Sequence, residues 1–217
     1  MEKNKTGQIV SLLALVIGVV SLSIGFSAFS NVLKIESGAT VSPSADTLNV
    51  DFSSSETEVV TNEIVPTLTP SLLTATNATI DNTNNPTLKN LSVTFTEPGQ
   101  KAVYSFYAVN AGELDAYLKS IVYANVDGNS SSKICTAKEG TTDALVQKAC
   151  DGIFVKIKVG NEAEISSGTA NISNHSLLKN AGEKVIITIE YSADAGRADG
   201  DFTVAFGDIT LNYSSVD

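Results

Sequence analysis

TEPGQKAVYSFYAVNAGELDAYLKSIVY, Thr96 to Tyr123, is the stretch on which the fold class turns. Pro98 and Gly99 make a turn, because proline presets its φ and glycine accepts a positive one. A strand from Ala102 to Val109 then ends at Asn110, Ala111 and Gly112, and a return strand begins near Ala116. Upstream, LSVTF (Leu91 to Phe95) alternates in the same way, and TLNVDF puts Leu48, Val50 and Phe52 on one side. Downstream, IFVKIKVG places Ile153, Val155, Ile157 and Val159 on one face, with Gly160-Asn161 as a hairpin turn. VIITIEY, DFTVAF and DITLNY complete the set, joined by ADAGRADG and by Gly207. NAGE at Asn180 to Glu183 repeats Asn110 to Glu113, but it opens a strand where the first closes one, so shared turn chemistry explains it without duplication. Val59 to Pro86 mixes short extended pieces with Pro and Asn breakers and assigns no secure strands.

Thr, Ser, Asn, Val and Ile recur throughout and Trp is absent, the texture of an all-β protein. The expected architecture is an antiparallel β-sandwich of jelly-roll or immunoglobulin-like topology, preceded by an N-terminal hydrophobic helix. Of the 217 residues, 1–28 read as a signal peptide or membrane anchor and 29–217 as a single exported domain. The formal charge is -10, and setting aside Glu2, Lys3 and Lys5, which carry net +1, leaves -11. Nucleic acid and anionic lipid both need a basic footprint, so an acidic exported part excludes nucleic acid as a partner.

Cys135 and Cys150 stand fifteen residues apart. Behind an export-type leader they are expected to pair, and closing a loop of that length stabilises a fold by roughly 3 kcal/mol in the chain-entropy picture. The spacing is unlike CxxC, and His175 alone could supply a nitrogen ligand, so no metal or cofactor is expected. The segment DGNSSSKICTAKEGTTDALVQKAC reads as an excursion from the sheet, with Thr141 or Thr142 capping a short helix over Asp143 to Lys148. The disulfide would pin this excursion as a surface flap.

Between Thr6 and Leu33 no side chain is charged, and Lys3 and Lys5 precede the run. Positive charge ahead of an apolar stretch keeps the N-terminus cytoplasmic and exports the remainder. The run is long enough to span a bilayer, which favours a retained anchor. Its second half, with Ser21, Ser23, Gly25, Ser27, Ala28 and Ser30, is also the small-residue texture that a signal peptidase enters. Beyond it, LKIESGATV gives Leu33, Ile35, Ala39 and Val41 one apolar face, interrupted at Ser37, and reads as a strand.

GFSAFSN, Gly25 to Asn31, resembles the processing region of the TasA fibre proteins and their relatives, whose leaders are cut by the SipW type of signal peptidase. The resemblance implies a cut between Ala28 and Phe29. Phe26 departs from the small residue that general signal peptidases prefer at the third position before a cut. A retained anchor and a pilin-like cut after Gly7 remain the alternatives, the latter opposed by Leu12 where most bacterial pilins carry Glu. The TasA family also has a similar order of PG turn, aromatic strand, NxG and Leu, matched here by Pro98, Gly99, Phe106, Asn110, Gly112 and Leu114. Leader and corner together cover about a quarter of the chain.

The resemblance implies an extracellular or cell-surface structural protein, a fibre or biofilm-matrix subunit that associates with itself through the strand bearing Leu33, Ile35, Ala39 and Val41. The membrane would be a partner only through the N-terminal segment before cleavage. The alternative is a β-sandwich binding module tethered to the membrane with its N-terminus cytoplasmic. Enzymatic activity is not expected: the family is grouped with camelysin, described as a metalloprotease, yet this chain has no HExxH, and His175 lies among turn residues in NISNHSLL, where it reads as a solvated loop residue. NVDGNS and DAGRADGD lack the spacing and terminal Glu of a calcium loop.

Overall fold

The computed structural model describes residues 48–70, 73–126, 128–162, 164–166 and 170–215. Chain contacts divide the protein into Met1–Ser44 and Ala45–Asp217, and the described residues belong to the second unit. The expected N-terminal helix, the cut at Ala28 and Phe29, and the strand carrying Leu33, Ile35, Ala39 and Val41 lie outside the described residues.

The described chain is all-β apart from one short helix, as the alternating apolar pattern requires. In sequence order its elements are β1 (Val50–Ser53), β2 (Thr67–Thr69), β3 (Thr74–Ala75), β4 (Thr79–Asp81), β5 (Thr87–Lys89), β6 (Ser92–Phe95), β7 (Lys101–Asn110) and β8 (Ala116–Tyr123). There follow β9 (Lys133–Ala137), α1 (Asp143–Cys150), β10 (Ile153–Val159), β11 (Ile165–Ser166), β12 (Ala170–Asn171), β13 (Ser176–Leu177), β14 (Gly182–Tyr191), β15 (Phe202–Phe206) and β16 (Ile209–Ser214). A six-stranded antiparallel sheet runs β1-β7-β14-β10-β11, with β2 also on β7. A second six-stranded sheet runs β12-β8-β16-β5-β4 with β13 on β8, and a four-stranded sheet runs β3-β6-β15-β9.

The other two sheets cover one face of the first, so the arrangement is a β-sandwich. In β7 the side chains of Ala102, Tyr104, Phe106 and Ala108 point inward, and in β14 those of Val185, Ile187, Ile189 and Tyr191 do so. Tyr191 meets Phe95 and Phe202 of the four-stranded sheet edge to face, with ring centroids 5.7 and 5.6 Å apart. Leu118, Ile121, Ile209 and Leu211 of the second sheet complete the same core. Burying side chains of this size is worth about 1.5–3 kcal/mol each, which is what holds the layers together.

The turn chemistry matches the sequence reading. Gly99 has φ +90°, and the Gln100 side-chain oxygen accepts the Thr96 N–H at 2.8 Å, so the PG turn is tied from inside. The two NAG turns pair with each other: Asn180 donates its N–H to the Asn110 carbonyl and Asn110 donates its own to Ala181, each at 2.9 Å. Asn110 is fully buried, and its side-chain amide reaches the carbonyls of Leu114 (2.8 Å) and Leu177 (3.0 Å) while its oxygen accepts the Gly112 N–H.

Two local expectations change. KICTA within the supposed excursion is a true strand, β9, paired with β15 from Lys133↔Phe206 to Ala137↔Phe202. Its Cys135 faces the core while Ile134 and Thr136 face out, a short alternation hidden between Ser-rich and Gly-rich flanks. The region from Val59 to Pro86 resolves into β2, β3 and β4 with a bridge between Ile64 and Ala78.

Candidate functional site

Ionisable groups converge most closely where β14 begins. Period two runs back from Val185 to Glu183, so this carboxylate lies on the inward face of β14. His175, just ahead of β13, turns its ring onto it: Nε2 is 2.6 Å from Glu183 Oε2, and Nδ1 is 2.9 Å from Glu162 Oε1 on the turn after β10. The Tyr213 hydroxyl of β16 donates to Glu183 Oε1 at 3.0 Å. The His175 backbone takes part too, since its carbonyl accepts the Leu118 N–H of β8 at 3.0 Å.

His175 is therefore buried, at 9% exposure, and is not the solvated loop residue that its neighbours suggested. Burial pushes its pKa down, but the two carboxylates together outweigh that and hold it above its ordinary value. Glu183 is itself raised, chiefly by burial and against the opposing pull of His175 and Tyr213. Burial, with the Glu183 charge beside it, pushes the Tyr213 hydroxyl well above its usual range. Both ring nitrogens are occupied by carboxylates, so neither is open to take a proton from a nucleophile. The cluster joins the two six-stranded sheets as a clamp.

The cysteine pair forms a second centre. Cys135 and Cys150 meet in disulfide-bonding geometry with their Cα atoms 6.1 Å apart. α1 spans Asp143–Cys150, two residues beyond the expected end, and buries Val146, Ala149 and Cys150. Thr142 occupies its N-cap position, but the Thr142 hydroxyl donates to the Asp199 carboxylate and makes no cap bond. At the other end the Lys133 ammonium donates to the carbonyls of Cys150 (2.7 Å) and Ile153 (2.6 Å), and burial lowers its pKa. Gln147 reaches the Cys135 carbonyl at 3.3 Å, so α1 covers the outer edge of β9.

The edge next to the chain's entry is covered differently. The Asn82 amide donates to the Phe52 carbonyl and its oxygen accepts the Phe52 N–H, both at 2.9 Å. One side chain thus stands in for a neighbouring strand on the free edge of β1. An open polar cleft of about 280 Å³ lies beside β5, lined by Asp81, Asn85, Lys89, Asp208 and Thr210, with Asp81 and Lys89 paired across 2.6 Å. Among the described residues no group of three or more His, Cys, Asp and Glu is placed to hold a metal ion, and no helix is long and apolar enough to cross a membrane.

No protein-family model and no curated protein matches the sequence. Among solved structures, one whose title reads "Structure of TmCBM61 in complex with beta-1,4-galactotriose" aligns with 66% of this chain and 90% of its own, at 14% identity and a TM-score of 0.26. A superposition that loose assigns neither ligand nor site to this chain.

Proposed function

We propose that the chain is an exported, non-catalytic β-sandwich of the cell surface with a structural role, a fibre or matrix subunit. Its N-terminal segment, freed by a cut before Phe29, adds as a strand to the sheet of another copy. The observation that carries this reading is the edge of β1, the first strand of the described sandwich, which the chain covers at Phe52 with its own Asn82 side chain. The segment with the apolar face of Leu33, Ile35, Ala39 and Val41 precedes that strand. The Asn82 cover disfavours extending the chain's own sheet there. Backbone pairing with an exposed edge of another copy supplies affinity, and alternate side chains supply register.

Non-catalytic is the reading that the ionisable groups favour, since His175, Glu183, Lys133 and Asp199 are each spent on a structural contact. The open polar cleft beside β5 favours the second reading, a tethered binding module presenting that surface to a ligand. N-terminal sequencing of the protein recovered from the cell envelope and from extracellular material separates the two. A mature end at Phe29 in extracellular polymer supports the subunit; the intact leader in the membrane fraction supports the tether.

A further inference from the structure

Side chains on alternate positions of β7, β14 and β10 point away from the core, and the pairing register places Lys184 beside Tyr107, Lys158 beside Ile186, and Lys101 and Phe154 on either side of Glu190. Lys101, Lys156, Lys158 and Lys184 therefore share the outer face of the first sheet. Lys156 is paired with Glu190 at 2.8 Å. Lys101, Lys158 and Lys184 are exposed and have no ion-pair partner among the described residues. Apolar surface lies between them: Phe154 is 42% exposed, and Tyr107 and Ile186 are half-buried. The whole chain carries -10, so removing these four lysines would leave -14. Glu190 and Glu164 lie at the same face, Glu164 4.0 Å from Lys156, so four lysines against these two carboxylates leave it net positive and partly apolar on an otherwise anionic body.

The complementary surface lies across the sandwich. Glu139 and Asp143 flank the start of α1, and Asp199 and Asp201 are drawn up to the same turn, where the Asp201 carbonyl accepts the Lys138 N–H at 3.2 Å and the Thr141 hydroxyl at 3.0 Å. All four carboxylates are exposed. α1 packs on β9 of the four-stranded sheet, which covers the inner face of the first sheet, so one molecule cannot bring its own carboxylates onto its own lysine plane.

We propose that the outer lysine face of the first sheet docks the carboxylate-bearing edge at the start of α1 on a second copy, joining subunits side to side. The inference rests on reading the chain as a self-assembling subunit, but it uses a surface separate from the N-terminal strand. Two different patches meet, so the contact is heterologous, and it propagates from copy to copy unless its rotation closes a ring. Complementary charge of this kind sets encounter rate and orientation, and it is screened over about 10 Å at 0.1 M salt.

The test follows light scattering and sedimentation of the mature chain at about 0.02 M and about 0.5 M salt. Strand donation is held by backbone hydrogen bonds and survives high salt, whereas the side-to-side contact is lost there. A K158E/K184E variant and an E139K/D143K variant, each checked for native circular dichroism, should each lose the salt-sensitive association by about tenfold or more, and an equimolar mixture should regain it. Deleting Phe29–Ser37 removes the salt-resistant polymer alone, so either contact can fail without the other. The proposal is overturned if the intact chain shows no salt-sensitive association, if the reversed variants associate as the original does, or if the mixture fails to recover. Binding of polyglutamate to the lysine face with no self-association also overturns it and reassigns the face to an anionic polymer.

Discussion

Replacing His175 with alanine removes the pin between the two six-stranded sheets, and the structure fixes the scale of the loss. The His175 and Glu183 side chains are 10% and 11% exposed, so this contact belongs with buried pairs. Deleting one partner of such a pair costs about 3–5 kcal/mol, because the other charge is left uncompensated. The Glu162 side chain is 41% exposed and adds at most about 1 kcal/mol. Glu183 keeps Tyr213 as a donor, and its raised pKa lets it take a proton, both of which trim the loss. His175→Ala should therefore lower the unfolding free energy by about 3 kcal/mol near pH 6, measured by urea denaturation with an unchanged m-value.

The pH dependence has a definite sign. A histidine whose folded pKa lies above its ordinary value contributes fully below about pH 6.5 and loses that contribution as pH rises through the folded pKa. Glu183, also raised, ionises at a cost as pH climbs above its unfolded value; His175 lightens that cost, so this smaller contribution runs against the histidine's. The gap between original and variant should narrow from about pH 6 to about pH 9. Glu183→Gln keeps the Tyr213 contact without the charge and should cost less than His175→Ala. A difference under about 1 kcal/mol at pH 6, or a gap that widens toward pH 9, would refute the clamp.

Three further outcomes follow from particular contacts. Changing both Cys135 and Cys150 to serine should cost about 3 kcal/mol and loosen α1 while the sandwich stays folded, and thiol labelling of native and denatured exported protein should find no free thiol in the original. Asn82→Ala strips both hydrogen bonds from the Phe52 backbone and should cost about 1–3 kcal/mol in chemical denaturation, with faster aggregation through the uncovered β1 edge. At Gly207 an added Cβ would clash with the Ala124 carbonyl oxygen, so Gly207→Ala must move backbone and should lower the melting temperature, at a cost of about 1–3 kcal/mol.

The sheet strands are legible because their apolar period of two is long and uninterrupted: β7 and β10 sit within a residue of where alternation places them, while β14 starts three residues earlier than VIITIEY suggests, at Gly182. β2, β3 and β4 are two or three residues each, too short for a period to show among Pro and Asn. β9 was hidden because the loop between the cysteines drew the reading toward a flap. The His175 cluster was legible in part. Continuing the β14 period back from Val185 puts Glu183 on the apolar face, and a buried carboxylate demands a partner. What the sequence could not supply is that a loop eight residues earlier folds back with the chain's single histidine onto that carboxylate. Asn82 on the β1 edge is likewise a contact across thirty residues that no local pattern announces.

Assembly of the chain beginning at Phe29, compared with one beginning at Gly38, tests the central claim most directly. Negative-stain microscopy and sedimentation of the two, each with a folded sandwich by circular dichroism, should show salt-resistant polymer for the first and monomer or salt-sensitive association for the second. If the chain beginning at Phe29 never polymerises, or if the shorter chain polymerises equally well, the N-terminal strand is not the link between subunits.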